Sequence, residues 1–137
     1  HFFNGALVST EAARCVGNVN REFFMSGDEI DYFYRLRKYG AVYSVLSAHH
    51  NHPDVSNRPF TPIKVYYYVK NTLILNRLYF NRVWVRNFLN VLTVIVRAAA
   101  RNGLAEAMSY VAGRNASVLY LAIARGIRGH LGKDFDG

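Results

Sequence analysis

The chain of 137 residues has one cysteine, three prolines and almost no acid in its second half. A lone Cys15 excludes an internal disulfide framework and fits a reducing compartment, and its apolar neighbours predict a buried structural thiol. No Gly-rich phosphate loop is present, nor a Ser, His and Asp arrangement suited to nucleophilic catalysis. A second cysteine and a His-Glu-x-x-His spacing are also missing, which argues against a self-contained zinc site. There is no internal repeat, no low-complexity tract and no initiator methionine. The strand-like start HFFNGALV suggests a portion of a longer protein.

What is present is charge of one sign. Residues 1–60 carry six Lys/Arg and six Asp/Glu, whereas residues 61–133 carry eleven Lys/Arg against Glu106 alone. The net charge of +8 is therefore concentrated in an aromatic and aliphatic second half, which suggests two jobs for one chain. These cations are scattered among aliphatics over four expected helices. That fits a phosphate-tracking stripe poorly, so nucleic acid is not an expected partner. An anionic membrane surface is a better match, with Lys/Arg toward the headgroups and Trp84, Phe88 and tyrosines inserted. Helices that simply pack on the rest of a larger protein are the plainer reading. The most apolar of them is interrupted by Arg86, Asn87, Asn90 and Arg97 and is not expected to span a bilayer.

Local pattern divides the chain at about residue 60. NGALVS reads as a short buried strand, and Ser9 or Thr10 can cap a helix through TEAARCV that ends at Gly17. A loop with apolar Phe23, Phe24 and Met25 follows. Ser26 or Asp28 can cap the next helix, which stops at Gly40. AVYSVLSA reads as a second strand, and HHNHPDVSNRPFTP as a polar loop broken by all three prolines. From Ile63 the pattern is helical: IKVYYYVKNTLILNRLYF, then RVWVRNFLNVLTVIVRAAAR. A shorter helix lies between Gly103 and Gly113, and a last one opens at Asn115 and runs through ASVLYLAIARGIRGHL.

Three acids, Asp28, Glu29 and Asp31, open the helix that ends at Gly40. Carboxylates there can cap free N–H groups and interact with the helix dipole. Alternatively, one of them is a general base, which must be held near its substrate's proton with an apolar wall beside it, a role open to Phe23 and Phe24. HHNHP adds His49, His50 and His52. In an extended chain His50 and His52 share one side, and imidazole is a common ligand for divalent transition metals. A solvated polar loop is the plainer account.

The order of these pieces resembles the C-terminal half of bacterial inverting glycosyltransferases of family 2, especially the rhamnosyl- and galactofuranosyltransferase-like members. The matching run is NGALVSTEAARCVGNVNREFFMSGDEIDYFYRLRKYG, followed by a strand ending in histidine, AVYSVLSAHHNH. YYYVKN is similar to the family's Tyr-Tyr-x-x-Arg-Asn, with Lys70 in place of Arg, and AIARGIRGHLGKDFDG to its Gly-rich ending.

The resemblance implies an α/β fold: the C-terminal part of a GT-A nucleotide-sugar transferase domain over residues 1–60, with few short strands. A basic amphipathic helical tail then covers 61–137. It assigns Glu29 as the base that deprotonates the acceptor hydroxyl, with Asp28 as the fallback, although the family usually has Asp at that place. Asp31 would hold the helix start or the acceptor. His52, then His50, would ligate a divalent metal, Mn2+ or Mg2+, that stabilises the departing diphosphate. The implied partners are a nucleotide-sugar donor, UDP-galactofuranose or dTDP-rhamnose, and a polyprenyl-linked or polysaccharide acceptor of the cell envelope. The implied place is cytoplasmic, peripheral on the inner face of the membrane. The half of the family's domain that holds the nucleotide pocket and its Asp-x-Asp precedes the matching part, so this portion is expected to be inactive alone. The competing expectation is a non-catalytic basic helical module that docks on a membrane or a partner protein.

Overall fold

A computed structural model describes residues 5–51 and 60–135. Among these the regular elements are six helices: α1 (Thr10–Val16), α2 (Asp28–Tyr39), α3 (Pro62–Tyr79), α4 (Val83–Asn102), α5 (Leu104–Ala112) and α6 (Ala116–Arg128). The bounds follow the local signals. Ser9 caps α1 by accepting from Ala12 N, Pro62 occupies the first turn of α3, and Gly40, Gly103, Gly113 and Gly129 stop four helices.

The α/β expectation is overturned. No strand occurs among the described residues, so this is not the α/β part of a GT-A domain. A strand exists only through its ladder, and neither 5–9 nor 41–48 forms one with another described segment. Val42, Val45 and Leu46 of AVYSVLSA are exposed instead, Leu46 to 90 %, and the segment turns on a bond from Ala48 N to Val45 O. Cys15 is also exposed rather than buried, because α1 turns only Ala12 fully inward.

The core is built around α3. Val65, Tyr66, Tyr67, Val69 and Leu73 are buried on several sides of the helix, as expected of an element apolar around most of its circumference. Val94 and Ala98 of α4, Ala107 and Tyr110 of α5, and Leu119 and Ala122 of α6 complete one cluster. Helix α6 approaches α3 closely at Gly126, where a Cβ would stand 2.9 Å from the Leu73 Cβ and from the Lys70 carbonyl oxygen. A smaller cluster of Ala12, Tyr32 and Leu36 joins α1 to α2.

Lys70 sits inside this core, fully buried, and it is paired. Its ammonium donates to Asp134, whose side chain is 2 % exposed, and to the Gly132 carbonyl at 2.8 Å. Arg125 reaches the same carboxylate at 2.8 Å, and the Tyr66 hydroxyl donates to it at 2.7 Å. Tyr67 accepts from Asp134 N at 2.9 Å. Burial alone would raise the Asp134 pKa, but the bonds from Lys70 and Tyr66 and the charges of Lys70 and Arg125 hold it below the ordinary value. Tyr66 is pushed up to about 12, first by burial and then by its bond to Asp134.

Two outcomes are expected. Gly126→Val separates α6 from α3 and lowers stability by about 1–3 kcal/mol, measured by urea unfolding. Asp134→Asn strands a buried ammonium and costs about 3–5 kcal/mol. A depressed folded-state pKa means that this stabilisation is in place above the unfolded value of about 3.9 and is lost as pH falls through the folded one. Wild type therefore weakens as pH falls below about 4, with a smaller slope in the Asn variant.

Candidate functional site

The acids of α2 are presented by a loop that α3 holds in place. Asn71, buried beside Lys70, donates from Nδ2 to the carbonyl oxygens of Phe24 at 3.0 Å and Ser26 at 2.7 Å. Phe23 packs on Ile74 and Leu75, and Phe24 meets the Tyr67 ring edge-on at 4.9 Å. On the far side Gly132 N donates to Glu22 O at 2.9 Å. Pinned this way, Met25 takes a left-handed conformation with φ 65°, which is uncommon for a residue with a side chain and is often found at functional sites. Gly27 follows at φ 95°, with Leu75 Cδ1 only 3.1 Å from where a Cβ would stand.

Gly27, not Ser26 or Asp28, is the N-cap of α2, and no side chain caps it. The three acids all lie in the first turn, where the dipole favours them. They then take different places. Asp31 is buried and engaged: it accepts from Arg35 Nε at 2.9 Å and from the Tyr79 hydroxyl at 2.5 Å. Arg35 continues to Val16 O at 2.6 Å and Asn18 O at 2.8 Å, so Asp31 joins α2 to the end of α1 and to α3. Burial first, then the bond to Asp31, pushes the Tyr79 hydroxyl up to about 12.

Glu29 instead stands on the wall of an open pocket of about 640 Å³. Ile30, Phe33, Tyr34 and Phe80 form its apolar sides, with Thr72, Asn76 and Arg86 as polar groups. Asp28, Phe23 and Phe24 are not in this wall; Phe23 packs on α3 and Phe24 on Tyr67. The aromatic side is rigid: Tyr34 stacks on Tyr79 at 4.9 Å and meets Phe80 edge-on at 5.2 Å. The Arg86 guanidinium lies 4.3 Å over Phe80 and donates to Asn81 O at 3.2 Å. A carboxylate, aromatic faces and a guanidinium around one opening suit a ring or chain that carries hydroxyl or anionic groups.

The resemblance assigns His52 and His50 to a metal. His52 lies outside the described residues, and the exposed His50 has its ring against Gly5. No three His, Cys, Asp or Glu side chains form a ligand group among the described residues. No step below is routed through a metal. The chain does close on an Asp-x-Asp, Asp134-Phe135-Asp136, which reading the sequence passed over. Asp134 is taken by Lys70, Arg125 and Tyr66, and Asp136 lies outside the described residues.

Sequence reasoning also missed Asn71 and Arg86. The signal for Asn71 was a Lys-Asn pair inside an apolar helix, since polar groups there must find buried partners. Comparison with protein-family models, curated proteins and solved structures finds no match.

Asn71→Ala is expected to leave two loop carbonyls without their donor, costing about 1–3 kcal/mol. Hydrogen exchange should quicken over residues 23–31, and exchange at the wild-type rate would contradict the clamp.

Proposed function

We propose that the chain is the acceptor-side portion of an inverting glycosyltransferase, one that moves a sugar from a nucleotide-sugar onto a hydroxyl of a cell-envelope glycan or its lipid-linked precursor. The observation that supports it is Glu29 on the wall of an aromatic-sided pocket, at the end of a backbone held in a left-handed turn. On this reading the Glu29 carboxylate accepts the proton of the acceptor hydroxyl. The acceptor oxygen forms a bond to the anomeric carbon from the face opposite the nucleoside diphosphate. The anomeric C–O bond breaks, its electron pair leaves with the diphosphate, and the configuration inverts. Phe33, Tyr34 and Phe80 offer apolar faces to the acceptor, and Arg86 a cation for an anionic group on it. Asp28 stays at the first turn beside the base, and Asp31 holds the helix that carries it. The donor pocket belongs to another part of the polypeptide.

The second reading, a basic docking module in which the acids serve only the helix, is favoured by the outward apolar residues of α4.

In a polypeptide that includes the donor-binding half, Glu29→Gln should lower kcat by roughly 10²–10⁴-fold with unchanged melting temperature. Turnover at the wild-type rate would sink the base assignment and leave the docking reading.

A further inference from the structure

Helix α4 is apolar on its outward face as well as on the face that packs on the core. Trp84, Phe88, Leu92 and Val96 recur every fourth residue and so form one ridge, flanked by Val85 and Leu89. All six are exposed, Trp84 to 72 % and Phe88 to 68 %. The stripe that packs inward is Asn87, Val94 and Ala98, with Val91, Ile95 and Ala99 half-buried against the core beside it, and Asn87 accepts from Asn76 Nδ2 at 3.0 Å. Between ridge and stripe runs a third strip of Arg86, Thr93, Arg97 and Arg101, and no acid occurs in the helix.

We propose that α4 is an in-plane anchor that seats the protein on an anionic phospholipid surface, with the Trp84–Val96 ridge in the acyl boundary and the arginine strip at headgroup level. An apolar face flanked by cations and without acids is the pattern of an interfacial helix, and the charge selects anionic lipid. By length and composition α4 could cross a bilayer. Spanning would carry Arg86, Asn90 and Arg97 into hydrocarbon and pull apart the Asn76–Asn87 bond, whereas lying in the plane leaves both undisturbed. Arg97 already rests over the Phe60 and Tyr68 rings at 5.9 and 5.8 Å, which fixes the strip on the body of the protein. Arg86 belongs both to this strip and to the Glu29 pocket, so a bound surface lies beside the pocket's opening. The anchor does not depend on the role of Glu29.

Trp84 is the only tryptophan, so it reports on the ridge directly. The full chain is mixed with vesicles of phosphatidylcholine alone, or with one-third phosphatidylglycerol, and followed by flotation and fluorescence. The expected result is flotation with anionic vesicles, a blue shift of Trp84, and quenching by lipids brominated near the headgroup. Phe88→Ser with Leu92→Ser should lower partitioning by at least about ten-fold. Arg97→Gln with Arg101→Gln should lower the preference for anionic lipid by about five-fold per arginine. Glu29→Gln should float as wild type does, which separates this proposal from the transferase reading.

Absence of both flotation and blue shift overturns the anchor, as does equal binding to neutral vesicles. Quenching only by deeply brominated lipid would make α4 a spanning helix and overturn the in-plane placement. A blue shift that depends on protein concentration without vesicles would assign the ridge to a second copy of the chain.

Discussion

The fully buried ammonium of Lys70 is the constraint on which the arrangement of this protein depends. A charge in the middle of an apolar helix is tolerated only if a counter-charge is brought to it with its remaining protons satisfied. The chain supplies that partner from residue 134, beyond the last helix, so α6 must return along α3 and the closing segment must fold inward. Gly126 permits the close crossing, and Arg125, one residue before it, reaches the same carboxylate. Tyr66 and Tyr67 use their hydroxyls to complete the network, so the aromatic core and the ion pair form one unit.

The residue after Lys70 carries the consequence to the pocket. Asn71 holds the loop that precedes α2, while Gly132, bonded to Lys70 on one side, bonds the same loop through Glu22 on the other. The left-handed turn at Met25 and Gly27 is thus held from two directions, and its product is the placement of the acids in the first turn of α2. Asp31 stiffens that turn through Arg35 and Tyr79, and Glu29 is left on the pocket wall. Two adjacent side chains of α3 therefore organise the closing segment and the candidate site together.

Helix content was legible because it rests on local rules. Cap residues, the glycines after helices and the apolar periodicity placed the helices to within about one or two residues, the usual uncertainty of a helix end, except that α6 stops at Arg128 rather than running on to Leu131. Strands were not legible in the same way. AVYSVLSA has the composition of a strand, yet strand formation needs a neighbour that no local pattern can supply. Cys15 was misplaced for a related reason: an apolar neighbourhood in sequence does not say which face of a short helix turns inward. For the acids, the sequence showed their cluster and its position at a helix start. It could not show that Asp31 is engaged by Tyr79, 48 residues away, while Glu29 lines a pocket with Phe80 and Arg86.

By itself, then, the sequence determined the helices, the basic and aromatic character of residues 61–133, and the presence of carboxylates at the start of α2. These are properties of neighbours a few residues apart, or of composition. Only the tertiary structure decided that Lys70 is answered by Asp134, that Asn71 holds the loop before the acids, and that the apolar ridge of α4 faces outward. Each depends on which distant groups meet when the core closes, because a buried charge or amide must find its partner wherever the chain can bring one.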